Sequence, residues 1–265
     1  MMPETASCVV RDLQLTPAEL KFYVEEGYLR LGGLVDPDVI DELREEIIDV
    51  ACTAHNLDRE QLSHATASAD KLRQSRQYLA SMKLNELING EAMISIASQL
   101  VGGPAKLYSP FTAVKAGGGG GSFDFHQDNN YTQHEPEGGS LNIWVALSDM
   151  SPENGCLQVI PRSHRNGQLP SKDCPDKDGH QQIDVDPIDC VPLRMRAGEA
   201  VAFSRWTVHG SGPNHTNEPR VAYALQYVRN DVNYLDKKTG EWRPIDKPLW
   251  HIGPVDEIGP YASEK

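Results

Sequence analysis

The sequence predicts a mainly β fold with flanking helices, an antiparallel sandwich or jelly roll set behind a helical N-terminal region. Two observations carry this. Up to residue 103, helix-start signals are followed by apolar residues at helical spacing. After Pro104, short β-forming runs alternate with turn clusters and no helical segment intervenes. A chain of 265 residues can bury a full core as one domain. The expected division is a helical part over about 12–103, a barrel core over about 104–230 and a tail over 231–265.

Thr16-Pro17-Ala18-Glu19 combines an N-cap, a proline at the first helical position and a capping-box glutamate, and opens a helix to about Glu26. Asp36-Pro37 repeats the signal, with Ile40, Leu43, Ile47 and Val50 at helical spacing behind it. A third helix is expected from Leu84 to Val101, stopped by Gly102-Gly103-Pro104. Residues 56–80 are polar and give no clear signal.

Strands are expected at Lys106–Lys115, Phe123–Asp128, Leu141–Leu147, Cys156–Ile160, Ala200–Val208 and Arg220–Arg229. The five-glycine run Gly117–Gly121 lacks the following helix and Lys-Ser/Thr of a phosphate loop, and reads as a flexible connection. Residues 171–190 hold six Asp against two Lys, and are either a solvated loop or a lid. The tail carries Tyr234, Trp242, Trp250 and Tyr261, which favours packing along the barrel.

A net charge of −13 speaks against binding a nucleic-acid backbone, which needs concentrated Lys and Arg. No apolar run reaches the length of a membrane span, and Met1–Arg11 lacks the pattern of a secretory signal. Five cysteines without a Cys-x-x-Cys pair favour reduced thiols, hence a cytoplasmic setting. The expected partner is a small-molecule substrate, with the chain a monomer or small homo-oligomer.

His126-Gln127-Asp128 places an imidazole and a carboxylate two residues apart, on one face of an extended segment. Such a tripeptide arises by chance about once in a chain with this many His and Asp. What raises it is His209, at the end of a strand beside the small residues Gly210-Ser211-Gly212. Two His and one carboxylate on one face of an octahedral cation leave positions open, as in non-haem Fe(II) oxygenases.

Eleven residues on, Arg220 begins a β run, and the intervening loop is long enough to return it antiparallel on the strand next to His209. If Arg220 points inward, so do Ala222, Ala224 and Gln226, while Val221, Tyr223, Leu225 and Tyr227 face away. An inward Arg beside two alanines suits a small carboxylate, and Ser211 can add a hydroxyl. On Leu141–Leu147 the same alternation sets Asn142, Trp144 and Ala146 against Ile143, Val145 and Leu147. Gln127 to Tyr131, the 171–190 segment and the helical N-terminus would line a substrate pocket. There Asn129, Asn130, Tyr131 and Gln158 point to a polar component, and the acidic segment disfavours a highly anionic acyl-CoA. His134, His164, His180 and His215 read as surface or supporting residues.

His126-Gln127-Asp128, Trp144, Asn154-Gly155-Cys156-Leu157-Gln158-Val159-Ile160-Pro161, Ser163-His164 and His209-Gly210-Ser211-Gly212 with Arg220 together resemble the phytanoyl-CoA dioxygenase family of Fe(II)/2-oxoglutarate-dependent oxygenases. The resemblance spans roughly residues 104–230. It implies a double-stranded β-helix, a jelly-roll (cupin-like) barrel with external helices. It further implies that His126, Asp128 and His209 bind iron, and that Arg220, Ser211, Trp144 and Phe111 contact 2-oxoglutarate. A basic contact from the N-terminal half would be Lys71 or Arg73. The activity implied is O2-dependent hydroxylation of an unactivated C–H bond, with 2-oxoglutarate converted to succinate and CO2. Halogenating members replace the carboxylate ligand with a small residue, so Asp128 favours hydroxylation or another oxidative outcome such as desaturation. The alternatives are a barrel that binds a small ligand without turnover and a metalloenzyme that needs no 2-oxoglutarate.

Overall fold

The computed structural model describes residues 8–63, 81–174 and 180–246. Helix α1 (Pro17–Glu26) starts on Thr16, whose hydroxyl accepts the Glu19 N–H while the Glu19 carboxylate accepts the Thr16 N–H. It ends at Gly27, in the left-handed region at φ 82°, where a Cβ would meet the His164 ring at 2.3 Å. Strand β1 (Tyr28–Leu31) follows directly, a four-residue strand the sequence did not announce. Helix α2 (Pro37–His55) is capped by Asp36, and Ile40, Leu43, Ile47 and Val50 are all buried as their spacing predicts. A short helix α3 (Arg59–Ser63) falls in the ambiguous stretch.

The expected helix over 84–101 is two helices, α4 (Met82–Asn89) and α5 (Glu91–Val101). Gly90 is the break. Its ψ of 147° is extended, and its amide closes α4 on Glu86 O.

The β region forms two main sheets. The larger has the order β1-β10-β5-β12-β2, from β10 (Ala200–Ser204), β5 (Ser140–Ala146), β12 (Ala222–Arg229) and β2 (Ala105–Thr112), all antiparallel. The smaller has the order β3-β11-β6-β9, from β3 (Phe123–His126), β11 (His209–Ser211), β6 (Leu157–Val159) and β9 (Val191–Pro192). Ile143, Val145, Leu147, Val221, Tyr223, Leu225 and Tyr227 pack outward with Leu43, Ile47, Leu87, Ile88 and Leu100 of the helices. Trp144, Ala146, Ala222 and Ala224 pack inward with Leu157 and Val159 of the smaller sheet. The alternation expected for β5 and β12 therefore holds. Tyr227 fixes the helical layer by donating its hydroxyl to Ile88 O at 2.6 Å.

Three expectations change. First, β11 and β12 are not neighbours: the chain from Gly212 to Pro219 crosses between sheets, so Arg220 faces the metal ligands from the opposite sheet. Second, the glycine run is pinned, not loose. Gly117 donates to Leu62 O, Gly118 to Thr216 O and Gly119 to Asn214 O, while Asn214 donates back to Gly120 O. Positive φ at Gly118, Gly119 and Gly121 permits this close approach. Third, the 171–190 segment contains a hairpin, β7 (Lys172–Cys174) with β8 (His180–Gln182). It docks beside β3, with Ile183 N–H donating to Phe125 O and Gln181 N–H to the Tyr131 hydroxyl.

His134, on β4 (His134–Glu135), is buried edge-on to Tyr108, not at the surface. Beyond β12, β13 (Asn233–Asp236) pairs with β4 and β14 (Glu241–Pro244). Tyr234 is partly buried there and Trp242 is largely exposed, so only part of the aromatic tail packs as expected. Trp250 and Tyr261 lie outside the described residues.

Candidate metal centre and its cavity

The end of β3 meets the start of β11 in register, His126 opposite His209, with ring centroids 4.3 Å apart. Each imidazole is fixed by its own backbone. His126 Nδ1 lies 2.7 Å from Asp124 O and His209 Nδ1 lies 3.0 Å from Thr207 O. A proton on each Nδ1 satisfies those carbonyls and leaves both Nε2 lone pairs for a cation, the orientation that supporting bonds give metal-binding histidines.

Strand pairing stops at His126, yet Gln127 stays extended (φ −106°, ψ 137°) before the turn that begins at Asp128. The same-face geometry of His-x-Asp therefore survives although Asp128 is not on the strand. Gln127 faces away and is spent on structure, donating to Gly167 O and Trp206 O and accepting the Leu169 N–H. Asp128 Oδ1 stands 3.8 Å from both His126 Nε2 and His209 Nε2. Asp128 Oδ2 accepts from Gln226 at 3.2 Å and Asn142 at 3.4 Å, both on the larger sheet. Burial pushes the Asp128 carboxyl upward, but His209, Arg205 and His126 outweigh it and hold it below the usual range. One donor atom from each of the three buried residues lies within 4.8 Å of the others. Two imidazoles and one carboxylate converging in this way fit a divalent iron.

Beside them lies a cavity of about 380 Å³ between the sheets, lined by Phe111, Trp144, Ser211, Arg220, Ala224 and Gln226 among others. All four residues expected to contact the cosubstrate thus reach one cavity with the three metal ligands. Arg220 is buried, donates to Gly155 O and Ala113 O, stacks over Trp144 at 5.1 Å and keeps its Nε unpaired. Burial pushes its pKa down to about 9.

Sequence reasoning missed Lys115. It is fully buried, and its Nζ donates to Ser211 Oγ at 2.7 Å and to the carbonyls of Gly212 and Gly155. Burial and the neighbouring Arg220 push its pKa down to about 6. Its place at the end of a β run was the only available signal. Asn142 and Gln226 were read as inward-facing, but not as partners of Asp128. Of the residues expected to line a substrate pocket, Tyr131 reaches the cavity and stands edge-on to His126. Asn129 does not: it is tied to Gln168 and the His134 N–H. Gln127 and Gln158 also lie outside the lining. His164 packs on Gly27 and Val24 O, and His215 is exposed. Lys71 and Arg73 lie outside the described residues.

The sequence profile described as Phytanoyl-CoA dioxygenase (PhyH) matches residues 23–222. A methylphosphonate hydroxylase of Gimesia maris is 28% identical over 84% of this chain and 87% of its own. The peroxisomal phytanoyl-CoA dioxygenase of Homo sapiens is 25% identical, over 89% and 75% respectively. In structure, the non-heme alpha-ketoglutarate-dependent carbocyclase SnoK from nogalamycin biosynthesis aligns with a TM-score of 0.66 at 23% identity, covering 89% of this chain and 94% of that one. EvdO2 from Micromonospora carbonacea var. aurantiaca, solved with 2-oxoglutarate, gives 0.66 at 20% identity over 90% and 96%. With a family profile covering most of its length and the His126, Asp128 and His209 facial triad assembled at the barrel mouth, the chain belongs to the phytanoyl-CoA dioxygenase family of Fe(II)/2-oxoglutarate-dependent non-haem iron oxygenases.

Proposed function

We propose that this oxygenase hydroxylates an unactivated C–H bond of a small-molecule metabolite, with Arg220 and Ser211 holding the distal carboxylate of 2-oxoglutarate. The observation that carries the reading is the buried Arg220 cation at the Ser211 end of the metal cavity, with the buried Lys115 Nζ behind it on Ser211 Oγ. Among the described residues no carboxylate lies within ion-pair distance of either. Buried charges of one sign without a counter-ion are costly, and a dicarboxylate relieves that cost.

When bound, iron, O2 and 2-oxoglutarate supply the oxidising chemistry, with release of succinate and CO2. The residues supply geometry. Asn142 and Gln226 occupy Asp128 Oδ2 and so turn Oδ1 toward the two imidazoles. Trp144 and Phe111 wall the cosubstrate from water, and Trp144 fixes the Arg220 fork by stacking. Asp128 supplies the carboxylate ligand, which favours hydroxylation over halide transfer. The methylphosphonate hydroxylase relative acts, by its name, on a very small molecule, and a cavity of about 380 Å³ suits a compact substrate.

Anaerobic Fe(II) titration, followed by 2-oxoglutarate binding and succinate release across a metabolite library, tests the reading. Arg220→Met removes the charged fork, and the 2-oxoglutarate requirement should rise at least about 30-fold. Activity largely intact in Arg220→Met would point to a metalloenzyme that needs no 2-oxoglutarate. Iron binding without succinate from any candidate would point to a ligand-binding barrel.

A further inference from the structure

Arg205 stands at the other end of the same cavity, in the turn between β10 and β11. It is buried, and its Nη2 donates to Asp128 O at 3.0 Å and Thr132 O at 3.1 Å. Its Nε and Nη1 are also buried and have no hydrogen-bond partner. No carboxylate among the described residues lies within 4.0 Å of it. Its guanidinium lies 5.4 Å from the Tyr108 ring, and both residues line the cavity.

Strand register places this cation. Along the inward face of β12, Gln226 sits opposite Ser109 of β2 and Asn142 of β5. Tyr108, next to Ser109, carries Arg205 over its ring, so Arg205 belongs to the Gln226 end. Arg220 is six residues back along the same segment, roughly 20 Å of extended chain. The cavity is therefore cationic at both ends, and Asp128 is the one acidic side chain among its described lining residues. An iron(II) with Asp128 carries a net single positive charge. Arg220 adds another, Lys115 a third whenever it is protonated, and the two charges of 2-oxoglutarate cancel at most two of these. Arg205 remains. Its Nε and Nη1 N–H groups have no partner, and burying them so is costly unless an acceptor reaches them from the cavity that Arg205 lines.

We infer that Arg205 is a substrate-reading residue, and that the substrate is a small molecule carrying one oxyanionic group, a carboxylate or phosphonate, which docks against the Arg205 guanidinium. The inference rests on the proposed function, since it takes the opposite end of the cavity for the cosubstrate. The unpaired N–H groups on Nε and Nη1 diverge, so each offers an oxyanion a single charge-assisted hydrogen bond. Ser109, Tyr131 and Thr132 line the same end and offer hydroxyls beside it. The 171–190 segment, acidic in sequence and touching Tyr131 through Gln181, works the other way and disfavours polyanions. The two together select a compact molecule with a single anionic group. The methylphosphonate hydroxylase among the relatives acts, by its name, on a molecule of that kind.

The test is a ratio of affinities, measured by anaerobic calorimetry on the Fe(II)·2-oxoglutarate complex. Methylphosphonate and small carboxylates from acetate to butyrate are each compared with a neutral counterpart, the dimethyl ester of the phosphonate and the primary amides of the carboxylates. Wild-type protein should bind at least one anion ten-fold or more tightly than its neutral counterpart, and phosphonate and carboxylate arms show which head group is preferred. Arg205→Met should bring that ratio close to one, and Arg205→Lys should keep part of it. If Arg205 only staples the 128–132 turn, the variants weaken anion and neutral ligands alike and the ratio stands, which overturns the inference. A wild-type protein with no preference for any anion overturns it without a variant. In both cases iron and 2-oxoglutarate binding are unaffected as findings, whereas their absence in the wild-type complex would sink the proposed function itself.

Discussion

Asp128 is bound on two sides by different parts of the barrel. One oxygen faces imidazoles from the smaller sheet and the other is held by Asn142 and Gln226 from the larger. Lys115 is the less expected residue, a lysine with no anionic partner among the described residues. Its pKa of about 6 leaves it mostly neutral above pH 7 before a counter-ion binds. A dicarboxylate placed beside it favours the charged form, so its pKa rises on binding and a proton is taken up. The sign follows: 2-oxoglutarate affinity should fall as pH rises from 7 to 9. Calorimetry at pH 8 in buffers of different ionisation enthalpy should show an uptake approaching one proton, lost in Lys115→Met. Equal uptake in that variant would assign the proton elsewhere. The metal ligands were legible because their chemistry is written in residue type and order. Lys115 was not, because a lysine closing a β run ordinarily reaches water. What buries it are Gly155 and Gly212, carbonyls some forty and a hundred residues away.

At the scale of elements, capping signals were the dependable guide: Thr16 and Asp36 begin α1 and α2 where the sequence put them. Apolar spacing was less informative at Gly90, because periodicity runs through a break that only the backbone reveals. A propensity argument expects Gly90→Ala to gain about 1 kcal/mol by strengthening one long helix. The structure predicts the reverse. A Cβ at Gly90 would meet Glu86 O at 2.3 Å, and forcing it in should cost on the order of 1–3 kcal/mol. Urea denaturation of Gly90→Ala decides between them by sign alone. Strand β1 escaped notice for a related reason. Four residues carry too little alternation to read, and it exists because β10 offers an open edge. The path from β11 to β12 misled for want of any local marker, since a loop that joins one sheet has the same composition as one that crosses to another.

For the whole molecule, the site lies between two sheets that an inward apolar cluster also joins. Ligands that contact both should stabilise the folded state strongly. At a hundred times their dissociation constants, Fe(II) with 2-oxoglutarate should add about 2.7 kcal/mol for a single linked site, a rise in melting temperature of roughly 5–10 °C. Anaerobic thermal unfolding with and without chelator measures it, and Asp128→Ala should lose most of the rise. A chelator-insensitive melting temperature would mean that the centre contributes little to holding the sheets together. Among the described residues no helix is long and apolar enough to cross a membrane, in keeping with a fold whose apolar surface is spent between layers.

The pinned glycine run gives the crossing chain an unusual job. Gly118 to Gly120 clamp residues 214–216, midway between the last metal ligand and Arg220. The span from the His209 ligand to the Arg220 guanidinium is thereby fixed as a caliper is fixed by its locking screw. A bulkier side chain at Gly117, which would strike the Asn217 carbonyl at 2.6 Å, would slip the screw and not the jaws. Both ends would remain chemically intact and yet be set for a diacid of the wrong length.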